Sequence, residues 1–146
     1  MSIRTLDLKI IGFFKRAFIP VSRFGLFVVF FWFGILKVLE LSPASGVVQR
    51  LFESTVSFMP FSTFLILFGL FECLIGLLFL IRGTERVVIP LLLIHMVTTF
   101  GPLFLLPGET WTSFLVPTLE GQYIIKNLVI IATAIGVASH VRPMRG

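Results

Sequence analysis

Four long apolar runs divide this 146-residue chain: Phe24 to Leu41, Phe61 to Ile81, Val87 to Leu106, and roughly Gln122 to Ser139. Each approaches the ~20 residues that a helix needs to cross a bilayer core of about 30 Å. The chain is 57% hydrophobic and only 13% charged, with a mean hydropathy of +1.06. Soluble domains carry about 25% charged residues. These features predict one integral membrane domain, residues 1–146, folded as an all-α antiparallel four-helix bundle.

A formal charge of +5 raises the possibility of nucleic acid, whose usual electrostatic footprint is a basic patch. The distribution of the bases excludes it. Arg4, Lys9, Lys15, Arg16 and Arg23 precede the first run, Arg82 and Arg86 separate the second from the third, and Arg142 and Arg145 follow the fourth. Only Arg50 falls in the other two loops, and Lys37 and Lys126 lie inside runs. The positive-inside rule then puts both termini in the cytoplasm. An even number of spans independently requires both ends on one side. The first run is too long for a signal-peptide core and carries Lys37 and Glu40 near its end, so it is read as a span. A single cysteine, Cys73, excludes an intrachain disulfide and any multi-cysteine metal site.

Before the first run, Leu6, Ile10, Phe13 and Ala17 recur at helical spacing with Arg4, Lys9 and Arg16 largely off that line, until Pro20 interrupts. Residues 1–22 are expected to form an amphipathic helix on the cytoplasmic leaflet. The alternative is a cytoplasmic extension of the first span. In loop one, Val47, Val48, Leu51, Phe52 and Val56 alternate with Gln49, Arg50 and Glu53, the pattern of a short interfacial helix on the outer surface. Loop two is so short that spans two and three must be neighbours. Loop three, with Pro107, Gly108, Trp111 and Pro117, reads as an irregular outer cap with Trp111 at headgroup level.

Inside the runs stand Lys37, Glu72, His95 and Lys126. A charge at the centre of a span costs roughly 2.5 to 3.5 kcal/mol on insertion scales, so such residues need partners or a purpose. Gly69, Glu72 and Gly76 share one face of span two, where small residues permit close helix contact. His95, Thr98, Thr99 and Pro102 share a face of span three, and Lys126, Thr133 and His140 recur in span four with Asn127 beside the first. At ~1.5 Å of rise per residue, Glu72 and His95 both fall ~16 Å below the outer face, so a contact between them is expected. Lys37 and Lys126 fall ~6 Å below the same face, from which each stem can reach inward or snorkel to the headgroups. A protonated Glu72 bonded to a neighbouring helix is the alternative to an ion pair, because burial disfavours the charged form. His95 taken alone is more often a packing residue, Cys73 a small apolar filler, and the 18 Phe residues lipid-facing bulk and packing. His95 and His140 lie at opposite depths, which argues against haem ligation. No metal-ligand spacing, nucleotide loop or nucleophile motif is present.

Arg23-Phe24-Gly25, Trp32-Phe33-Gly34-Ile35-Leu36-Lys37 and Gly69-Leu70-Phe71-Glu72-Cys73-Leu74-Ile75-Gly76 resemble the first two spans of the DoxX-like membrane proteins. His95 to Pro107 with Trp111, followed by Glu120-Gly121-Gln122-Tyr123-Ile124-Ile125-Lys126-Asn127, resembles the branch that contains the inner-membrane protein of bacterial reactive-chlorine resistance. The resemblance covers most of residues 23 to 140. It implies a four-helix bundle in a bacterial cytoplasmic (inner) membrane, with Lys37, Glu72, Lys126 and Asn127 as family-pattern polar residues. Some relatives are described as subunits of thiosulfate:quinone oxidoreductases, and others are associated with oxidative-stress defence.

The candidate polar core is therefore Lys37, Glu72, His95, Lys126 and Asn127, with Trp32, Thr98, Thr99 and Glu120 as secondary candidates and no metal. Three functions compete. The first is an accessory or quinone-linked subunit, in which Glu72 and His95 relay a proton and a lysine holds an anionic group. The second is a structural or assembly subunit whose polar residues bind partner membrane helices or a second copy, as the glycine face of span two permits. The third is a small proton-coupled transporter using Glu72.

Overall fold

A computed structural model of the chain describes residues 3–56, 58–141 and 143. Arg142 and Arg145, which entered the charge argument, lie outside the described residues. Four helical segments are long and apolar enough to cross a membrane: Ile3–Val38, Phe61–Leu80, Glu85–Leu105 and Leu119–Ala138.

Helix α1 (Ile3–Val38) runs unbroken through Pro20. From Ile3 onward the segment read as amphipathic is continuous with the first span in one 36-residue helix, which fits the alternative of an extension of that span. Proline removes one backbone N–H and disfavours the helical bond to the residue four before it, but here the flanking turns carry the helix past it. Helix α2 (Ser45–Thr55) is the short helix expected in loop one. Helix α3 (Phe61–Leu80) is uninterrupted, whereas the third span divides at Gly101 into α4 (Glu85–Phe100) and α5 (Pro102–Leu105). Pro102 causes that division, since its ring opposes the carbonyl of Thr98, which instead accepts a bond from Gly101 N. The fourth span is likewise two pieces, α7 (Leu119–Ile125) and α8 (Asn127–Ala138), joined by a tighter turn at Lys126.

The all-α expectation holds for the spans but not for loop three. After α6 (Pro107–Thr110), strands β1 (Trp111–Ser113) and β2 (Val116–Pro117) pair antiparallel, with Trp111 opposite Pro117. The hairpin is pinned by side chains. Trp111 Nε1 donates to Leu103 O, Thr118 Oγ1 donates to Glu109 O, and Thr118 caps α7 by accepting from Gly121 N. Arg50 of α2 pairs with Glu109 of α6, tying the loop-one and loop-three segments together.

Buried positions follow a seven-residue rhythm. Those on the α1–α3 stripe are Arg23, Leu26, Phe30, Gly34 and Lys37 of α1, and Leu65, Gly69, Glu72, Gly76 and Phe79 of α3, with Cys73 and Ile75 of α3 buried beside it. Alternating steps of three and four keep one stripe facing a neighbouring helix crossed at a shallow angle. Glycine lets α1 and α3 approach closely along that seam. A Cβ on Gly34 would lie 2.6 Å from Gly69 O, and one on Gly76 would lie 2.8 Å from Phe31 N. The glycine face of span two is therefore taken up within the chain by α1. Helix α3 also contacts α4, and α8 contacts both α4 and α1. Leu26, Phe30, Ile75, Phe79, Val88, Leu92, Met96, Ala134 and Val137 form the apolar core. Phe33, Leu67, Leu70, Ile94, Val97 and Val129 are exposed on the outside of the helices, as expected where lipid is the solvent.

Candidate functional site

Three of the ionisable residues meet. Helix α1 contributes Lys37, α3 contributes Glu72 and α4 contributes His95, and none is more than 6% exposed. Lys37 Nζ donates to Glu72 Oε2 at 2.7 Å. The other carboxylate oxygen, Oε1, lies 2.8 Å from His95 Nε2. The second imidazole nitrogen, Nδ1, lies 3.2 Å from Thr99 Oγ1, whose hydroxyl is also 3.0 Å from His95 O. Glu72 is thus held from two sides, and the imidazole from both nitrogens.

The local sequence explains this convergence. Lys37 is one turn beyond Gly34, and Glu72 one turn beyond Gly69; these two glycines let the helix axes come close enough for a short Lys37–Glu72 bond. Thr99 stands four residues after His95, so its hydroxyl rises beside the ring on the same helix face. Thr98 is exposed, and its hydroxyl donates to His95 O at 2.7 Å.

Aromatic rings enclose the histidine. Phe68 stacks on it with ring centroids 5.0 Å apart, and Phe30 meets it edge-on at 5.3 Å. Ring contacts continue from Phe68 to Phe64, which stack, and from Phe64 to Phe52 of α2, which is tilted. Lys37 Nζ also lies 5.7 Å from the Phe68 ring centroid, within cation–π range. The phenylalanines looked like undifferentiated bulk, but Phe64, Phe68 and Glu72 stand at four-residue intervals on α3. That interval was the available signal.

The arrangement is electrically economical. Two opposite charges buried together cost far less than either alone, provided the remaining donors and acceptors are also matched. Among the described residues, no buried side-chain nitrogen or oxygen lacks a hydrogen-bond partner. A hydrogen bond between Nε2 and Oε1 places one proton between them, and the Lys37 amine stands against the other carboxylate oxygen.

The remaining sequence candidates stand apart. Lys126 is exposed, its Nζ 4.8 Å from the Tyr123 ring centroid, and Asn127 Nδ2 donates to Tyr123 O at 3.3 Å. The two lysines expected at similar depth therefore diverge, Lys37 reaching inward and Lys126 outward. Trp32 and Glu120 are exposed. Among the described residues, no three His, Cys, Asp or Glu side chains cluster as metal ligands would.

A second polar group, unanticipated as such, closes the loop-two end. Arg23, counted in the sequence only as a cytoplasmic base, is buried, pairs with Glu85 and donates to Ile81 O. Its signal was its place two heptads before Lys37 on the same stripe. An apolar groove of about 660 Å³, lined by Leu93, Met96, Val97, Phe100, Phe104 and Ile131 among others, opens sideways beside the C-terminal part of α4. No family model, curated protein or solved structure matches the chain.

Proposed function

We propose that this chain is a small DoxX-like protein of the bacterial cytoplasmic membrane, an antiparallel four-helix bundle with both termini in the cytoplasm. In this reading it serves membrane redox or oxidative-stress physiology as an accessory, quinone-linked subunit. The observation that carries the reading is the buried Lys37–Glu72–His95 group. Quinone reduction consumes protons as well as electrons, and a shared proton between a carboxylate and an imidazole is a source of them inside a membrane. Electrons would come from a partner oxidoreductase. The groove beside Met96 gives an isoprenoid tail an apolar bed one residue from His95. The rival role as an assembly subunit is less favoured, because Lys37, Glu72 and His95 are partnered within the chain and the glycine face is filled by α1.

Extraction of protein purified in mild detergent tests the proposal. Quinone should be retained by the wild type and depleted in a Val97→Trp variant, whose exposed position lines the groove, with Glu72→Gln retaining quinone but slowing its protonation on reduction. Wild-type protein that carries no quinone and takes up none from supplemented lipid would overturn it.

A further inference from the structure

The N-terminal part of α1 is far longer than a span requires. At ~1.5 Å per residue its 36 residues extend ~54 Å, against about 30 Å of bilayer core. Arg23 bonds to Ile81 O, just past the end of α3, so the helix before Arg23 lies beyond the span on the loop-two side. Phe18 still touches the bundle, packing over Gly136 and against the ring of His140. Before it, Ile3, Leu6, Ile10, Phe13 and Phe14 are exposed, Ile3 at 88% and Phe14 at 63%.

Those five residues share one side of the helical wheel, which also carries Asp7, while Leu8, exposed as well, falls on the opposite side near Gly12. Lys9 and Arg16 border one edge of the apolar stripe, and Arg4 and Lys15 border the other, with Gly12 centred on the opposite face. An apolar stripe bordered on both edges by long bases is the arrangement that inserts between lipid headgroups while the bases reach phosphates. Four bases against the single acid Asp7 also repel a second copy of the same arm. Pro20, which lacks a backbone N–H, stands where the arm leaves the span.

We infer that residues 3–17, the N-terminal end of α1, form a docking arm for the anionic surface of the cytoplasmic leaflet, with Phe13 and its stripe in the headgroup boundary and Gly12 on the opposite side. This rests on the membrane orientation proposed above but not on quinone. The occupant is anionic lipid, chosen because the apolar stripe is continuous with a membrane span and its flanks are basic.

The test uses full-length protein in nanodiscs of phosphatidylcholine, alone or mixed with phosphatidylglycerol, with spin labels placed singly at Phe13→Cys, Gly12→Cys and Val129→Cys. Cys73 is buried, so unsubstituted protein gives the labelling background. With phosphatidylglycerol, the Phe13 label should become accessible to lipid-soluble oxygen and shielded from an aqueous relaxer, while the Gly12 label stays in water. Neutralising Lys9 and Arg16 to Gln should lower the docked-to-free ratio about fivefold per base removed. A Phe13 label that stays in water in both lipids overturns the arm. So does shielding that is equal in both lipids and indifferent to the Lys9 and Arg16 changes, the result expected of a protein partner or a second copy. Val129, exposed on span four, is the internal control: a lipid-facing label there shows insertion, so failure at Phe13 counts against the arm alone, whereas a water-exposed Val129 label overturns the membrane orientation itself.

Discussion

Lys37 and Glu72, 35 residues apart in sequence, are joined by a 2.7 Å hydrogen-bonded ion pair across the seam between α1 and α3. The pair exists because Gly34 and Gly69, one turn away on each helix, bring the two backbones together. Removing one partner should be worse than removing both. Glu72→Leu is expected to cost about 3–5 kcal/mol by leaving the ammonium buried and unpaired, while Lys37→Met with Glu72→Leu should recover much of that loss. Unfolding of both variants in detergent measures the difference, and strict additivity would refute the coupling.

The glycine seam makes a second, sharper prediction. Gly34→Ala forces its new methyl against Gly69 O and Cys73 Sγ and should destabilise by about 1–3 kcal/mol, the usual cost of overpacking. Gly25→Ala, on the same helix with open space around it, should be neutral or stabilise by up to ~1 kcal/mol. Thermal unfolding of the two variants side by side checks the contrast.

At the loop-two end, Arg23→Met removes both the partner of Glu85 and the donor to Ile81 O. Hydrogen bonds to charged groups are worth about 1.5–3 kcal/mol, so a loss in that range is expected. Limited proteolysis should report faster cleavage in the turn after Arg82, and an unchanged rate would show that Arg23 does not hold the turn.

Lys126 provides the control for the site. Exposed and resting on Tyr123, it should tolerate Lys126→Gln within about 0.5 kcal/mol, as exposed positions away from special features do. Lys37→Gln should be markedly destabilising in the same assay. Equal effects would mean that Lys126 belongs to the polar group after all.

Much of this was legible in the chain because a bilayer restricts the options. Apolar runs of span length fixed where the membrane helices lie, and helical rise alone put Glu72 and His95 at one depth, where a 2.8 Å contact is found. The helix in loop one followed from its own periodicity. Harder to read were the interruptions: a proline stops α4 at Pro102 yet is carried through at Pro20, because neighbouring contacts decide whether a lost backbone bond is tolerated. The hairpin in loop three depends on side-chain anchors such as Trp111 to Leu103 O, between residues whose proximity no local pattern encodes.

Sequence by itself determined that this chain has four membrane-length helices and that ionisable side chains stand inside them. Tertiary structure alone decided which of these meet. Lys37 and Lys126 are placed at equivalent depths by helical rise alone and have identical chemistry, but only Lys37 lies on a glycine-lined seam facing an acid, while Lys126 occupies a turn between α7 and α8 where its stem runs along Tyr123. The energy of a buried charge depends on what lies within a few ångströms of it, and that distance is set by helix packing rather than by position along the chain.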